Sequence, residues 1–471
     1  MIRPSRILLA LAAVHAPLAG ASAASVREAL EQTYATNPRI EAARARVRQT
    51  TERVPQAYGQ WKPSLSVNAS FGTESEEQDP GNTDNRTPAS AQAQLQQPVY
   101  SGGSNFARLK TAKHQMRAER RRTAGTTQQT LLRGARAYIN VWRDRRLIEL
   151  AESNVDALAG LLDAAEKRRE NGVNTRTDVV QAESRLARGR RRLEDFRGQL
   201  RQGRARYEQT VGEAPGEDIT YPDLIETLPE SEAAAVERAR QNAPNVQAAR
   251  QSASAAEYNI RRQAGQLLPS LSVQGNASIN EEPSTFLDER KRASLTLNLQ
   301  VPLYQQGVVT SRVREAKQTA NERQLRALAA TRQAAQRART AWSQLTAARQ
   351  RVETARVEVD AAKETLDGLR EENRVGTRTV QDVLDGQRDV FQAQIALTRA
   401  RGELAVARFS LVNATGELMP QRLGLNVEPY DPTRVYNAVV DEWWSLDAPE
   451  SDVAMPAVWP RSTWRGGAGN G

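Results

Sequence analysis

Apolar and polar residues alternate strictly along several short stretches of this chain. In RASLTLNLQVPLY, the apolar residues Leu295, Leu297 and Leu299 lie on one face and polar residues lie on the other. PSLSVQGNASI and PSLSVNASF alternate in the same way, and PASAQAQLQQP alternates more weakly. A period of two residues is typical of β-strands. The predicted strands lie at about residues 63–73, 88–98, 269–279 and 292–302.

Alternation over about ten residues suits a membrane β-barrel, with lipid outside and water inside. A half-buried sheet of a soluble protein is the alternative. Four strands are too few to close a membrane barrel, which needs about eight, and lipid does not tolerate an open sheet edge. If these strands lie in lipid, the chain must therefore oligomerise.

Most of the remaining chain is predicted to be helical. Two long proline-free stretches, one in each half, are dominated by Ala, Gln, Glu and Arg. A helix over residues 104–170 would be about 100 Å long, and residues 177–211 would return beside it. A further helix over residues 38–60 would be kinked or shortened by Pro55.

An apolar residue recurs every seven positions in the second half of the chain and at the equivalent positions of the first half. The ten residues are Val383, Val390, Leu397, Leu404, Leu411, Val179, Leu186, Leu193, Leu200 and Tyr207. A strict seven-residue period favours a left-handed supercoil, and ordinary packing of two helices is the alternative. Both interpretations require long paired helices.

The two halves of the chain repeat each other. PSLSV begins at Pro63 and again at Pro269, and the glycines of two similar turns, Gly172 and Gly376, are 204 residues apart. Copies of this length indicate a duplicated domain. The predicted segments are a signal peptide at 1–24, a first repeat at 25–212 with its hairpin tip near 171–177, a connecting segment at 213–231, a second repeat at 232–418 with its tip near 373–379, an equatorial segment at 419–447 and a disordered tail at 448–471.

The N-terminus predicts export. Arg3 and Arg6 precede a short apolar run and the small residues Ala21-Ser22-Ala23, as in a secretory signal peptide. Loss of the two arginines lowers Lys+Arg from 66 to 64 against 56 Asp+Glu, a net charge of +8. No later stretch reaches the ~18 apolar residues of a membrane helix. The chain has no cysteine, so disulfides and thiolate chemistry are excluded and a lipid anchor is not expected.

The composition offers little for catalysis or for nucleic-acid binding. His114 is the only histidine after the signal peptide, and its polar helical surroundings predict a solvated residue. Few aromatic residues interrupt the arginines, which favours a solvated basic helix face over a nucleic-acid interface. We predict no catalytic residue, no cofactor and no metal site.

The signal peptide, the repeated PSLSV and P-x-Y-x-x-G strand borders and the motif VGTRTVQDVLD together resemble the TolC family of outer-membrane efflux proteins. The resemblance covers about Ser25 to Tyr430. It implies a mainly α-helical, internally duplicated fold whose long antiparallel hairpins build an α-barrel, joined to four strands of a trimeric transmembrane β-barrel. It also implies a homotrimer in the outer membrane that extends into the periplasm.

The resemblance assigns a role to Asp382 and Asp385, which lie one helical turn apart. They would line the periplasmic constriction, where six carboxylates of a trimer would hold cations and resist closure. Without the motif around them, the two aspartates would be explained as an ordinary helix N-terminus that the macrodipole favours.

Further roles implied by the resemblance lie at the two turns. Bonds from Arg378 to Thr177, and from the residue at position 373 to Asp178, would tether the tips. The family often has an aromatic hydroxyl at that position, whereas this chain has Asn373. The implied docking surface for a periplasmic adaptor consists of Gly172, Val173, Val375, Gly376 and Thr377.

The expected function is passive export through an outer-membrane channel-tunnel, supplied by an inner-membrane transporter through the adaptor. The cargo, secreted proteins or small toxic compounds, stays open. The alternative is a periplasmic coiled-coil scaffold or adaptor that forms no pore. That alternative explains the seven-residue period but leaves the alternating segments without a purpose.

Overall fold

The computed structural model describes residues 25–78, 82–172, 174–225, 227–284 and 287–440. The predicted signal peptide, the tip residue Val173 and residues 441–471 lie outside these ranges. Within them, the helices are α1 Val26–Thr36, α2 Pro38–Thr51, α3 Arg53–Gly59, α4 Ser104–Glu170, α5 Arg176–Val211, α6 Glu232–Asn242, α7 Pro244–Ala264, α8 Val308–Arg374, α9 Val380–Ala414 and α10 Pro432–Val440. The strands are β1 Ser64–Phe71, β2 Glu74–Gln78, β3 Asn82–Arg86, β4 Ala89–Ser101, β5 Ser270–Ser284 and β6 Leu287–Gln300.

The fold is mainly helical and is built from two copies of one long hairpin. α4 and α8 each contain 67 residues, and α5 and α9 return with 36 and 35. The uninterrupted runs of good helix formers explain these lengths. None of the described helices is both long enough and apolar enough to cross a membrane.

The helix expected over residues 38–60 is two helices instead. α2 ends at Thr51 and α3 begins at Arg53. Proline has no backbone N–H, so Pro55 cannot donate to the carbonyl of Thr51, four residues earlier. The amides of Glu52 and Gln56 still bond to carbonyls four residues before them, at 3.2 Å. The backbone thus keeps helical hydrogen bonds on both sides of the one that Pro55 cannot make.

Four strands form one antiparallel sheet in the order β1-β4-β5-β6. The weakly alternating stretch is thus β4, an inner strand that pairs with strands on both sides. The strands β5 and β6 extend beyond the predicted bounds 269–279 and 292–302, to Ser284 and from Leu287, and β2 and β3 add a small hairpin between the first two predicted strands. Polar composition concealed these extensions, because solvated strand ends need no apolar face.

One face of the four-stranded sheet is apolar and exposed. The register places Leu65 opposite Leu95, and Val273 opposite Leu297. Polar residues pair on the other face, as Ser70 does with Ser90. Leu295, Leu297 and Leu299 expose 75%, 66% and 66% of their surface, and Leu65, Val67 and Phe71 are similarly exposed. As the period of two predicts, apolar and polar side chains separate onto opposite faces.

The described chain divides into two compact units that cut across the sequence repeat. The first contains the chain up to Asn37, Leu131–Glu226 and Thr346–Phe409. Its core lies between the returning helices and the second parts of α4 and α8, around residues such as Leu158, Leu366 and Phe391. Of the seven-residue stripe, Leu397, Leu404 and Leu200 are half-buried and the other seven residues are buried.

The second unit contains Pro38–Thr130, Thr227–Leu345 and the chain from Ser410 onward. It holds the sheet and two clusters of buried side chains. In one cluster Val54 and Met116 join α3 to α4, and in the other Val246 and Ala338 join α7 to α8.

Candidate functional site

The two hairpin tips, both in the first compact unit, are built around glycines with positive φ. Gly172 has φ 77° and Gly376 has φ 82°. After α8, the amide of Gly376 donates to the carbonyl of Asn373 at 3.2 Å, and that of Thr377 donates to the carbonyl of Glu372 at 2.9 Å. This is the Schellman pattern, which requires a left-handed residue. A Cβ at either glycine would meet nothing within 4 Å, so the dihedral angle, not crowding, requires glycine.

Asp382 caps the first turn of α9. Its Oδ2 accepts from the amide of Thr379 at 3.0 Å and from the hydroxyl of Thr379 at 2.8 Å, and its own amide donates back to that hydroxyl at 3.2 Å. Hydrogen bonds from Thr379, with a smaller contribution from the nearby Arg378, lower the pKa of the Asp382 carboxyl. The group is therefore held ionised at the start of the helix.

The first repeat has the same cap at the start of α5. Oδ2 of Asp178 accepts from the amide of Thr175 at 2.9 Å and from its hydroxyl at 2.8 Å. The two tips thus share one reciprocal capping box. They differ one turn further on, where the second repeat has Asp385 and the first has Gln181. Hence only the second tip carries a second carboxylate.

Asp385 is held in an ion-pair network that joins α9 to α5. Its Oδ1 accepts from Nη2 of Arg185 on α5 at 2.7 Å and lies 3.1 Å from Nη1 of Arg388 on α9. Its Oδ2 accepts from Nε2 of Gln381 at 2.8 Å. The Asp385 side chain is 34% exposed and that of Arg185 is 19% exposed. Asp382 and Asp385 are therefore not equivalent, since only Asp385 is paired with an arginine of the other hairpin.

The predicted tether residues have other partners within the chain. Nε of Arg378 donates to Oε2 of Glu372 at 2.7 Å. Asn373 accepts from Nη1 of Arg168 at 2.6 Å and donates to the carbonyl of Arg378 at 2.8 Å. Among the described residues, neither Arg378 with Thr177 nor Asn373 with Asp178 forms a bond inside one chain. Tethers between neighbouring chains stay a prediction.

Apolar and polar contacts fix α9 beneath the tip. Leu384 is buried in the cluster of α4 and α5 side chains. Gly386 lets α8 approach closely, because a Cβ there would lie 2.9 Å from Cδ1 of Leu369. The buried Gln387 donates to Asn154 on α4 at 3.3 Å and accepts from Arg370 on α8 at 3.0 Å. These contacts set the direction in which the α9 carboxylates point.

Sequence reasoning missed Arg185 and Arg168, whose guanidiniums bond from the first hairpin to the second. Each lies about 200 positions from its partner and in an arginine-rich stretch. Each differs from the neighbouring arginines only in the helix face on which it lies. Which face meets the other hairpin is decided by tertiary packing, which the sequence does not reveal. The clue that the sequence offered was Asn373, whose amide suits a guanidinium as well as the expected carboxylate.

The single mature histidine is less solvated than predicted. Nδ1 of His114 lies 2.9 Å from Oε1 of Gln251, and its ring stacks on Tyr258 at 5.3 Å. It is half-buried and joins α4 to α7. Within the described ranges, no three His, Asp or Glu side chains are grouped so that they could hold a metal ion.

The family model for "Outer membrane efflux protein" matches residues 29–213 and 235–417, which are the two repeats. The chain belongs to this family. It is 32% identical to the outer membrane efflux protein BepC of Brucella suis over 425 residues, which cover 90% of this chain and 92% of BepC. It is 26% identical to the outer membrane protein TolC of Vibrio cholerae over 417 residues, 85% of this chain and 92% of TolC.

The fold agrees with this membership. The crystal structure of the outer membrane protein VceC of Vibrio cholerae superposes with a TM-score of 0.72 at 17% identity, over 83% of this chain and 96% of VceC. The chain is thus an outer-membrane efflux channel of the TolC type, which extends into the periplasm. Its four-stranded sheet and helical hairpins are one chain's share of a β-barrel and an α-barrel. The family is one of channels, not of enzymes.

Proposed function

We propose that three copies of this chain form a passive exit duct that receives cargo from an inner-membrane transporter through a periplasmic adaptor. The observation that carries this proposal is the sheet. Its apolar face is exposed across four strands, and β1 and β6 are edge strands. Lipid would cover that face, but it would not tolerate the open edges. Neighbouring copies would close the edges and complete a barrel.

Native mass spectrometry of the detergent-extracted outer-membrane fraction tests this assembly. We expect a species of three chains that survives mild heating. A monomer in the soluble periplasmic fraction would favour the coiled-coil scaffold instead, and it would leave the exposed leucines unexplained.

We propose further that Asp382 and Asp385 form the constriction at the periplasmic end. Their unequal surroundings support different roles. Asp385 locks the two hairpins of one chain through Arg185, while Asp382 bonds to Thr379 of its own helix cap. Three copies of Asp382 would supply most of the cation attraction, and three Arg185–Asp385 pairs would resist opening.

The proposed tethers between chains join Arg378 and Asn373 of one tip to Thr177 and Asp178 of a neighbouring tip. The exposure of Thr177 and Arg378 supports the proposal. Thr177 makes no side-chain hydrogen bond with the described part of the chain, and Arg378 is half-exposed with Glu372 as its partner. An exposed ion pair contributes little, so Arg378 can exchange partners at small cost.

The adaptor-docking surface is proposed at Gly172, Val173, Val375, Gly376 and Thr377. Val375 exposes 66% of its surface although it is apolar, and the space beside both glycines is open. A partner could bury Val375 and approach the glycine backbones closely. Val173 lies outside the described residues, and its inclusion rests on the sequence alone.

A further inference from the structure

Within the second compact unit, five helices line one cavity of about 1120 Å³. Hydrogen bonds link four of these helices to one another: α2 to α4, α4 to α7, and α7 to α8. Thr123 of α4 donates to Ala43 of α2 at 3.1 Å, and His114 of α4 pairs with Gln251 of α7 at 2.9 Å. Gln324 of α8 donates to Glu257 of α7 at 3.0 Å. Side chains from four separate parts of the chain, α2–α3, α4, α7 and α8, therefore meet around one space.

The charge of the cavity wall is strongly unbalanced. Among the described residues that line it, Glu119 is the one acidic residue. The basic residues in the lining are Arg46, Arg53, Arg108, Arg122, Arg262 and Arg323. Six positive charges against one negative charge leave five in excess. The other polar lining residues are glutamines, asparagine, threonines and serine, which donate hydrogen bonds without adding charge.

Most of these guanidinium groups have no partner in the part of the chain that the structure describes. Arg122 pairs with Glu119 at 2.9 Å, and Nε of Arg262 donates to Oδ1 of Asn259 at 2.8 Å. The guanidiniums of Arg46, Arg53, Arg108 and Arg323 make no ion pair or hydrogen bond with a described residue. Some exposed arginines elsewhere in the described chain do pair with glutamates, as Arg197 does with Glu152 and Glu194.

The arginines also influence one another. Burial, and to a smaller degree the neighbouring Arg108, lowers the pKa of Arg262. Each of these groups stays cationic, since arginine is protonated at any physiological pH. The wall therefore carries repulsion that an anion in the cavity would relieve.

We propose that this cavity binds small polyvalent oxyanions, solutes that carry two or more closely spaced phosphate, sulfate or carboxylate groups. Guanidinium forks bind such groups through paired hydrogen bonds. Because the arginines lie on different helices, they can contact several anionic groups of one solute at once. A solute with a single anionic group would use fewer of them. The volume admits a solute of drug or nucleotide size, together with water. The binding site follows from the cavity; its use as a stage in export rests on the proposed channel function.

The test is calorimetric titration of the purified full-length protein in detergent with tripolyphosphate, and with inorganic phosphate for comparison. The variant Arg46→Gln/Arg53→Gln/Arg323→Gln removes three unpartnered cations of the wall. The matched variant Arg314→Gln/Lys317→Gln/Arg332→Gln removes three exposed cations of α8 that do not line the cavity. Both variants are first compared with the wild type for oligomer mass and helix content.

We expect the wild type and the matched variant to bind tripolyphosphate more tightly than phosphate, with an affinity that falls as salt rises. The cavity variant should bind at least about tenfold more weakly, since each tenfold loss corresponds to one strong charge-assisted contact. Equal binding by all three proteins, or no binding by the wild type, would overturn the proposal. Tighter binding of hexaglutamate than of tripolyphosphate would overturn the assignment to small solutes in favour of an acidic peptide.

Single-channel recording separates this inference from the channel function on which its use depends. Tripolyphosphate should block wild-type current and should block the cavity variant less. Channels that conduct without any block, formed by protein that binds tripolyphosphate in detergent, would contradict the use of the site in export. A protein that binds tripolyphosphate in detergent but never conducts would contradict the proposed function alone.

Discussion

Asp382 and Asp385 illustrate how two identical side chains three residues apart acquire different properties. Asp382 is fixed by the capping bonds with Thr379, which lower its pKa. Asp385 is fixed by Arg185 and Arg388. Because the folded-state pKa of Asp382 is lowered, its carboxylate stabilises the cap above the unfolded pKa. That contribution is lost as the pH falls through the lowered folded value.

Thr379→Ala removes the hydroxyl that bonds to Asp382 and should raise the pKa of that carboxyl towards its ordinary value. If Asp382 attracts cations at the constriction, the pH below which divalent cations cease to block the channel should rise. The measurement is block by a divalent cation as a function of pH. Thr175→Ala removes the equivalent cap in the first repeat and should leave that midpoint unchanged. Identical shifts in both variants would show that Asp382 has no special role.

Gly416→Ala should destabilise the protein far more than Gly376→Ala, although φ is positive at both, 80° and 82°. The dihedral angle alone costs an alanine about 1–2 kcal/mol. At Gly416 a Cβ would also lie 2.6 Å from the carbonyl oxygen of Asn242, whereas at Gly376 it would meet nothing within 4 Å. Thermal denaturation of the two variants checks this. Equal melting temperatures would contradict the close backbone approach at Gly416.

Packing between the returning helices α5 and α9 stabilises the first compact unit. Buried apolar residues such as Phe196 and Phe391 lie in one cluster of that unit. The ion pair between Arg185 and Asp385 lies nearer to the hairpin tips than this core does. It orients the two helices relative to each other and contributes little to the free energy of unfolding. An exposed or partly exposed ion pair contributes at most about 1 kcal/mol. Loss of this ion pair should therefore change the ratio of open to closed channels more than it changes the free energy of unfolding.

Arg185→Gln should loosen the hairpins and shift the channel towards larger or more frequent openings. Arg188→Gln is the matched control, because Arg188 lies on the same helix, is exposed and donates to Ser184 instead of a carboxylate. Single-channel conductance and open probability distinguish the two. Indistinguishable traces would contradict a locking role for the Arg185–Asp385 pair.

The sequence predicted the elements well and the contacts between them poorly. Periodicity and proline spacing gave the long hairpins and the alternating strands, since both depend on local preferences. Pro55 was recognised as a disturbance, but only the hydrogen bonds show that it divides the helix. The partners of Asn373 and Asp385 could not be predicted, because Arg168 and Arg185 are about 200 residues away along the chain.

The exposed apolar face of the four-stranded sheet is the surface through which the protein contacts lipid. Leu297 lies on the apolar face, and Thr296 beside it lies on the polar face. Leu297→Arg would place a charge in lipid, which costs about 2–4 kcal/mol near the middle of a membrane. Thr296→Arg would place the same charge on the face away from lipid.

We therefore expect Leu297→Arg to reduce the amount of trimer in the outer membrane and Thr296→Arg to leave it nearly unchanged. Fractionation of cells that express each variant, followed by native mass spectrometry, measures this difference. Equal assembly of the two variants would mean that the apolar face does not contact lipid.

A duct with an acidic periplasmic constriction should reveal itself in single-channel recordings of the purified protein in a planar bilayer. The wild type is compared with the variant Asp382→Ala/Asp385→Ala. We predict stable wild-type channels that select cations and are blocked by divalent cations, and a double variant that loses both properties. Wild-type protein that forms no channels would contradict the duct. A double variant that keeps its selectivity and block would place the constriction elsewhere.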